Sequence, residues 1–337
     1  MTSPAGSDTK ADAPGSVPDV SVIVAAWRAE ACIGEAVRAA LDQSDVAVEV
    51  IVVDDGSPDG TLAAARAAAP DDSRLVLHRL ARNGGPSVAR NAGLDLARGR
   101  YVGVLDADDT MAPHRLSRLV AFADETGADL VADNLLAVRP GQDGQAPSVP
   151  FYRSDRLAGF DPVTLAAYLD PRVQRRLGGN MGYMKPLFRR ASLDRLGVRY
   201  DPSLRNSEDF HLVADLLAQG AVFRLLSEPL YRYTIHAGST SHRISSEAVT
   251  AILKADAALL ERRSSAFGPA EQAALRRRRA GLERLRLETV FADRVKARRP
   301  LSGLAALASQ PPHAPGVLVH FARVALGRLA GTGPRPG

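Results

Sequence analysis

The chain has 337 residues, 45% hydrophobic and 24% charged, with a net charge of +5, which fits one large globular domain and a smaller appendage. No run approaches the roughly 18 apolar residues of a membrane span, which argues against a spanning protein. Cys32 is the only cysteine, so no intrachain disulfide forms; a reducing compartment is the natural home, and Cys32 reads as a packing residue.

Met1 to Asp19 is rich in Pro, Gly, Ser, Ala and Asp and reads as a disordered leader without a secretory hydrophobic stretch. Val20 to Ala25 is a short apolar run suited to a buried parallel strand. Glu30 to Gln43 follows helical spacing, with Ile33, Val37, Ala40 and Leu41 on one stripe. Val48 to Val53 predicts a strand, Thr61 to Ala69 a helix closed by Pro70, and Leu75 to Leu77 a third strand. Ser87 to Ala97 predicts a helix ended by Gly99, and Tyr101 to Leu105 a fourth strand. Strand and helix in this alternation build a parallel sheet with right-handed crossovers.

After Asp109 the rhythm changes. A helix through Leu116, Leu119, Val120 and Ala123 leads to a strand over Ala128 to Ala132. Pro140 to Asp161 reads as a mobile loop or insertion. Glu208 to Gln219 is an amphipathic helix, and beyond Ser241 the chain reads as helical, with a stripe at Leu275, Leu282, Leu285 and Thr289. Charge is unevenly divided: from Ser241 onward there are 17 Lys/Arg against 7 Asp/Glu, while the preceding part is net acidic. That basic extension suits nucleic acid or an anionic membrane surface, or is a solvated helical face.

Two strands end on carboxylates, Val53-Asp54-Asp55-Gly56-Ser57 and Leu105-Asp106-Ala107-Asp108-Asp109. Open α/β sheets bind ligands at the carboxyl ends of their strands, and charges are rarely buried there without a partner. Asp-x-Asp suits a divalent cation that also carries substrate phosphates. The first turn, Ala25-Ala26-Trp27-Arg28-Ala29-Glu30, has no Gly-x-Gly-x-x-Gly, which excludes a dinucleotide-dependent oxidoreductase. A nucleotidyltransferase would want a glycine-rich, lysine-bearing early loop, also missing.

These segments, together with Ala89-Arg90-Asn91-Ala92-Gly93 and Ser207-Glu208-Asp209-Phe210, resemble in order and spacing the inverting glycosyltransferases of family 2. The stretch from Asn206 to Ser241 resembles members that assemble bacterial exopolysaccharides such as succinoglycan. The resemblance implies an α/β fold of the GT-A type: a Rossmann-like, mostly parallel sheet with helices on both faces, here with a helical C-terminal extension. It implies a glycosyltransferase domain over 20–240, divided at 110 into nucleotide-binding and acceptor-binding halves, followed by the basic extension over 241–337.

The resemblance also assigns roles. Asp55 accepts the N3 proton of a uracil ring, Ala25 borders the base, Trp27 stacks on it or is a core filler, and Asp54 faces the other side of its strand as a structural residue. Asp108 holds Mn²⁺ or Mg²⁺ at the donor diphosphate, and Asp106 touches ribose or metal. Asp109 supports the loop, touches the donor sugar, or caps the following helix. Asp209 is the catalytic base with Glu208 beside it, in a first helical turn whose dipole favours carboxylates. Arg90 either holds the nucleotide or braces Asp55. His236 is a metal or diphosphate contact or a structural residue, and Lys185 a phosphate contact at the acceptor cleft or a surface residue.

The implied function is metal-dependent, inverting transfer of a hexose, glucose from UDP-glucose, onto a glycan or lipid-linked oligosaccharide. The expected place is the cytoplasm, at the inner face of the cell membrane, with no nucleic-acid partner. A non-catalytic nucleotide-sugar-binding scaffold of a polysaccharide assembly complex is the alternative.

Overall fold

The computed structural model describes residues 17–138, 149–235 and 244–297. His236, the leader up to residue 16 and the chain from 298 lie outside the described residues. The leader as expected ran to Asp19, but the fold begins earlier: Tyr101 N donates to Asp19 O at 2.9 Å and Arg100 N to Pro18 O at 3.2 Å.

The first half is a parallel α/β unit made of β1 (Val20–Ala26), α1 (Ile33–Leu41), β2 (Val48–Asp54), α2 (Thr61–Ala68), β3 (Leu75–Arg79), α3 (Pro86–Leu96) and β4 (Tyr101–Val104). β1 is central, paired in parallel with β2 (Val22↔Val50) and with β4 (Val22↔Gly103). Side chains alternate between the two faces of β2. Val50 and Val52 join the main core with α1, while Ile51 and Val53 pack against Ala89 of α3. Both faces are therefore covered, which explains why β2 is apolar at nearly every position.

The second half comprises β5 (Thr110–Met111), α4 (Arg115–Thr126), β6 (Leu130–Val138), β7 (Val149–Pro150), α5 (Ser154–Leu157), α6 (Leu165–Leu169), α7 (Pro171–Leu177), β8 (Leu187–Arg189), α8 (Arg190–Leu196), α9 (Glu208–Ala218) and β9 (Phe223–Thr234). Its strands extend the same sheet in the order β3-β2-β1-β4-β8-β6-β9-β5, with β7 beside β6. β8 runs antiparallel to both β4 and β6, and β6 and β9 are parallel. Parallel pairing is thus confined to the first four strands and the β6–β9 pair. The expected loop over 140–161 is partly structured: within 149–161 lie β7, α5 and the buried Tyr152.

α10 (Ser246–Arg262) and α11 (Pro269–Lys296) follow. They pack on the second half instead of standing apart. Arg277 and Arg172 both pair with Asp170, the N-cap of α7, and buried Asp256 of α10 joins His211 of α9 to Arg278 of α11.

Candidate active site

Three elements converge on one cleft of about 610 Å³, within the range of small-molecule sites. Ala25 and Trp27 reach it from the end of β1, Asp106 and Asp108 from the end of β4, and Ser207 to Phe210 from the start of α9.

α3 is the brace that assembles it. Ser87, Arg90 and Asn91 lie three and four residues apart, hence on one helical face. Ser87 Oγ donates to Leu204 O at 2.7 Å, and Asn91 bonds the Tyr200 backbone through both Nδ2 and Oδ1, at 2.9 and 3.0 Å. These bonds fix the segment that enters α9. α3 can reach it because Gly93 lies tight against β1: a Cβ there would stand 2.5 Å from Cγ2 of Ile23.

Arg90, 4% exposed, then meets three carboxylates. Its Nη1 lies 2.5 Å from Glu208 Oε1 and 3.0 Å from Asp209 Oδ1, and its Nη2 lies 2.9 Å from Asp106 Oδ1. Lys185 Nζ completes the ring, 2.9 Å from both Asp106 Oδ2 and Asp209 Oδ2. Of the two expectations for Arg90, bracing Asp55 is overturned, because its guanidinium points to Asp106, Glu208 and Asp209. Surface placement of Lys185 is overturned too, since its side chain is 8% exposed. Its backbone is pinned from behind, with buried Arg115, itself paired to Asp133, donating to Lys185 O at 2.6 Å.

The charges follow from this packing. Burial alone would raise the Asp106 carboxyl, but the Lys185 ammonium and Arg90 guanidinium outweigh it and hold it at about 2. Burial opposes the charge on Lys185 as well, and Asp106 and Asp209 overcome it, raising its pKa. Asp109 differs: burial and then the neighbouring Asp106 push it up to about 7. It takes no part in the cleft lining. It accepts bonds from Tyr231 Oη at 2.7 Å and Thr234 N at 2.7 Å, so of the expected roles it fills the loop-supporting one, tying the Asp-x-Asp turn to β9.

Asp108 is exposed and lines the cleft, where its carboxylate could serve as a ligand to a divalent cation. Both oxygens of Asp106 already face cations. Among the described residues no three His, Cys, Asp or Glu side chains gather as a metal cage. A hard cation here would take most of its oxygens from a bound diphosphate and water, as Mg²⁺ usually does.

Asp55 is 4% exposed and is not among the residues that line the cleft with Asp108 and Asp209. Its carboxylate accepts N–H bonds from Gly84 and Gly85 at 2.7 and 2.8 Å, and Gly85 makes the turn at φ +91°. Asp54 is buried, accepts from Ser57 N at 3.0 Å and faces Arg79. Trp27 is 50% exposed, with the Arg28 guanidinium 4.8 Å from its ring centre. Cys32 also borders the cleft; burial and then the Asp108 carboxylate raise its thiol, which keeps it protonated.

Several lining residues carried no sequence signal: Asn180, Arg205 and, from the C-terminal helices, Ile252 and Arg278. Leu282 and Leu285 belong to the stripe that periodicity marked on α11, but periodicity alone gives a helix face and not what it faces.

The sheet and its flanking helices define a GT-A-like α/β fold. The model for glycosyl transferase family 2 matches residues 21–192, and the chain belongs to that family. It is 40% identical over 298 residues to the succinoglycan biosynthesis protein ExoO of Rhizobium meliloti (strain 1021), covering 88% of this chain and 83% of that one. Among solved structures it is similar to S. aureus TarS 1–349 in complex with UDP-GlcNAc, with a TM-score of 0.59, 21% identity, and coverage of 90% of this chain and 87% of that one. It is also similar to the mannosyltransferase PcManGT of Pyrobaculum calidifontis in complex with GDP-Man and Mn²⁺, with a TM-score of 0.56, 20% identity, and coverage of 93% and 82%. No helix among the described residues is long and apolar enough to cross a membrane.

Proposed function

We propose that this glycosyltransferase is inverting and metal-dependent, and moves a hexose, glucose from UDP-glucose, onto a growing exopolysaccharide or a lipid-linked oligosaccharide. The observation that carries this reading is that the Asp106–Asp108 turn and the Glu208–Asp209 pair line one cleft beside Trp27. The ExoO relative supports the exopolysaccharide assignment, and the UDP-GlcNAc and GDP-Man–Mn²⁺ complexes of the structural neighbours support a nucleotide-sugar donor and a divalent cation.

In this reading the donor base stacks on Trp27 beside Ala25. Asp55 retains lone pairs beyond those used by Gly84 and Gly85, and accepts from the base. Asp108 would hold a divalent cation, Mn²⁺ or Mg²⁺, which when bound would supply Lewis-acid neutralisation of charge on the leaving diphosphate. Lys185 exchanges its contact with Asp209 for the departing phosphate, which frees Asp209 Oδ2. That oxygen takes the acceptor hydroxyl proton as the alcohol attacks the anomeric carbon from the face opposite the diphosphate. A new glycosidic C–O bond forms, the bond to the phosphate oxygen breaks, and the nucleoside diphosphate leaves with its electron pair. Glu208, fixed by Arg90, orients Asp209. The basic extension draws the protein to anionic lipid at the inner face of the cell membrane, where a lipid-linked acceptor is presented.

Asp209→Asn keeps the shape and removes the base. Turnover should fall by about 10²–10⁴-fold with the circular dichroism spectrum unchanged. Sugar transfer near the wild-type rate would remove Asp209 from the base role.

A further inference from the structure

Arg278 is a buried cation on α11 that the transfer chemistry does not use. It is 9% exposed and lines the cleft. Its Nε lies 3.1 Å from both oxygens of Asp256, and its guanidinium centre sits 3.7 Å from the ring centre of Phe210, the residue after Asp209. Asp256 is itself fully buried and held by His211 Nε2 at 2.9 Å. The guanidinium plane is thus fixed by stacking and by one carboxylate. Its Nη2 is buried and has no hydrogen-bond partner among the described residues. A guanidinium in which Nε alone meets a carboxylate has spare N–H groups, and a buried charged donor left unmet is costly.

Arg278, Leu282 and Leu285 fall at i, i+4 and i+7, so one face of α11 presents a cation followed by two leucines to the cleft. Ile252 of α10 and Ile244 extend this aliphatic surface, and Leu282 packs on the cluster of Leu204, Ile252 and Ala255. A cation fixed at the head of an aliphatic strip matches an amphipathic anion. A neutral sugar could accept from the guanidinium but would gain little from the leucines, and an inorganic anion would leave them wet.

We propose that this face of α10 and α11 is an acceptor subsite: Arg278 binds a phosphate of the acceptor, and Ile252, Leu282 and Leu285 take the hydrocarbon attached to it. The inference rests on the transferase reading only in naming the ligand an acceptor. Arg278 stacks on the neighbour of Asp209, so the subsite and the proposed base share one cleft. The C-terminal helices are then part of the binding site and not solely a surface tether.

Isothermal titration of the full chain with decyl phosphate, inorganic phosphate and decyl glucoside, each below micelle formation, tests this. Decyl phosphate should bind about tenfold or more tighter than either other probe, and Arg278→Gln should lose about tenfold of that affinity. Leu285→Asn, at a half-buried position, should weaken decyl phosphate several-fold and leave inorganic phosphate unchanged. Unchanged decyl phosphate binding in folded Arg278→Gln overturns the subsite. Should that variant fail to fold, unchanged binding in Leu285→Asn overturns it instead. Decyl glucoside binding as tightly as decyl phosphate removes the anion from the proposal, and inorganic phosphate binding as tightly removes the hydrocarbon. UDP titrated in parallel separates the readings: its binding should be the same in all three proteins, and its absence throughout would sink the donor assignment without touching the subsite.

Discussion

Lys185 Nζ stands 2.9 Å from Asp106 Oδ2 and 2.9 Å from Asp209 Oδ2, so one ammonium joins the carboxylates that separate halves of the chain bring to the cleft. With Lys185→Met, Asp106 and Asp209 would face each other with Arg90 alone between them. Losing one partner of a buried ion pair costs about 3–5 kcal/mol. The Asp106 side chain is 30% exposed, so solvent recovers part of this, and we expect a loss of about 2 kcal/mol or more in urea unfolding. An unchanged midpoint would show that the pair contributes nothing to the fold.

Trp27 carries little of the core. It is half exposed and touches Arg28, so Trp27→Ala should change stability by less than about 1 kcal/mol. A base stacked on it is worth about 1–3 kcal/mol, and the donor KM should rise by about tenfold with kcat nearly constant. As the only tryptophan, it also makes its own fluorescence a reporter of nucleotide binding. A donor KM unchanged in Trp27→Ala would place the base elsewhere.

The first half of the fold was legible in the sequence because β1, β2 and β4 are buried on both faces and read as mostly apolar runs, interrupted only at Ser21, Glu49 and the terminal Asp54. β8 is three residues long, too short for a period to register. β9 runs for twelve residues but carries Arg224, Glu228, Pro229 and Arg232, and its pairing with β6 shifts register near Asn134. The acidic motifs were visible because each follows a recognisable strand or starts a helix. Which cations turn inward, and which carboxylates Arg90 and Lys185 meet, was not. Arg278 sits within Arg276-Arg277-Arg278-Arg279, and only packing decides which of the four turns inward. The same holds for Lys185, whose position depends on the buried Arg115–Asp133 pair.

Gly93→Ala tests how closely α3 must approach β1. In an exposed helix the change would gain about 1 kcal/mol. Here the new Cβ would meet Ile23 Cγ2 at 2.5 Å, with Cδ1 and Cγ1 at 3.1 Å, in a fully buried contact. Overpacking costs about 1–3 kcal/mol, so the net effect should be destabilising. Lifting α3 would also draw Arg90 from Asp209 and lower turnover. Combining it with Ile23→Ala should restore part of the activity by making room. A stabilised, fully active Gly93→Ala would refute the close-approach argument.

The docking of α11 should weaken in acid. Burial alone would raise Asp170, but its bonds from Arg172 and Arg277 outweigh that and hold it well below the usual carboxylate range. Asp256 is lowered in the same sense, burial being outweighed by the bonds from His211 and Arg278. A carboxyl whose folded pKa is depressed adds stability that is complete above the unfolded value of about 4. That stability is lost as pH falls from there through the lower folded value. Unfolding free energy should therefore be level for these two groups at pH 5 and above, and decline below about pH 4. Asp170→Asn should lower stability by about 1 kcal/mol at neutral pH, a small figure because Arg172 and Arg277 are 60% and 35% exposed. Its stability should also fall less steeply in acid than that of the wild type. Parallel acid profiles for the two proteins would show that Asp170 does not hold α11 through its charge.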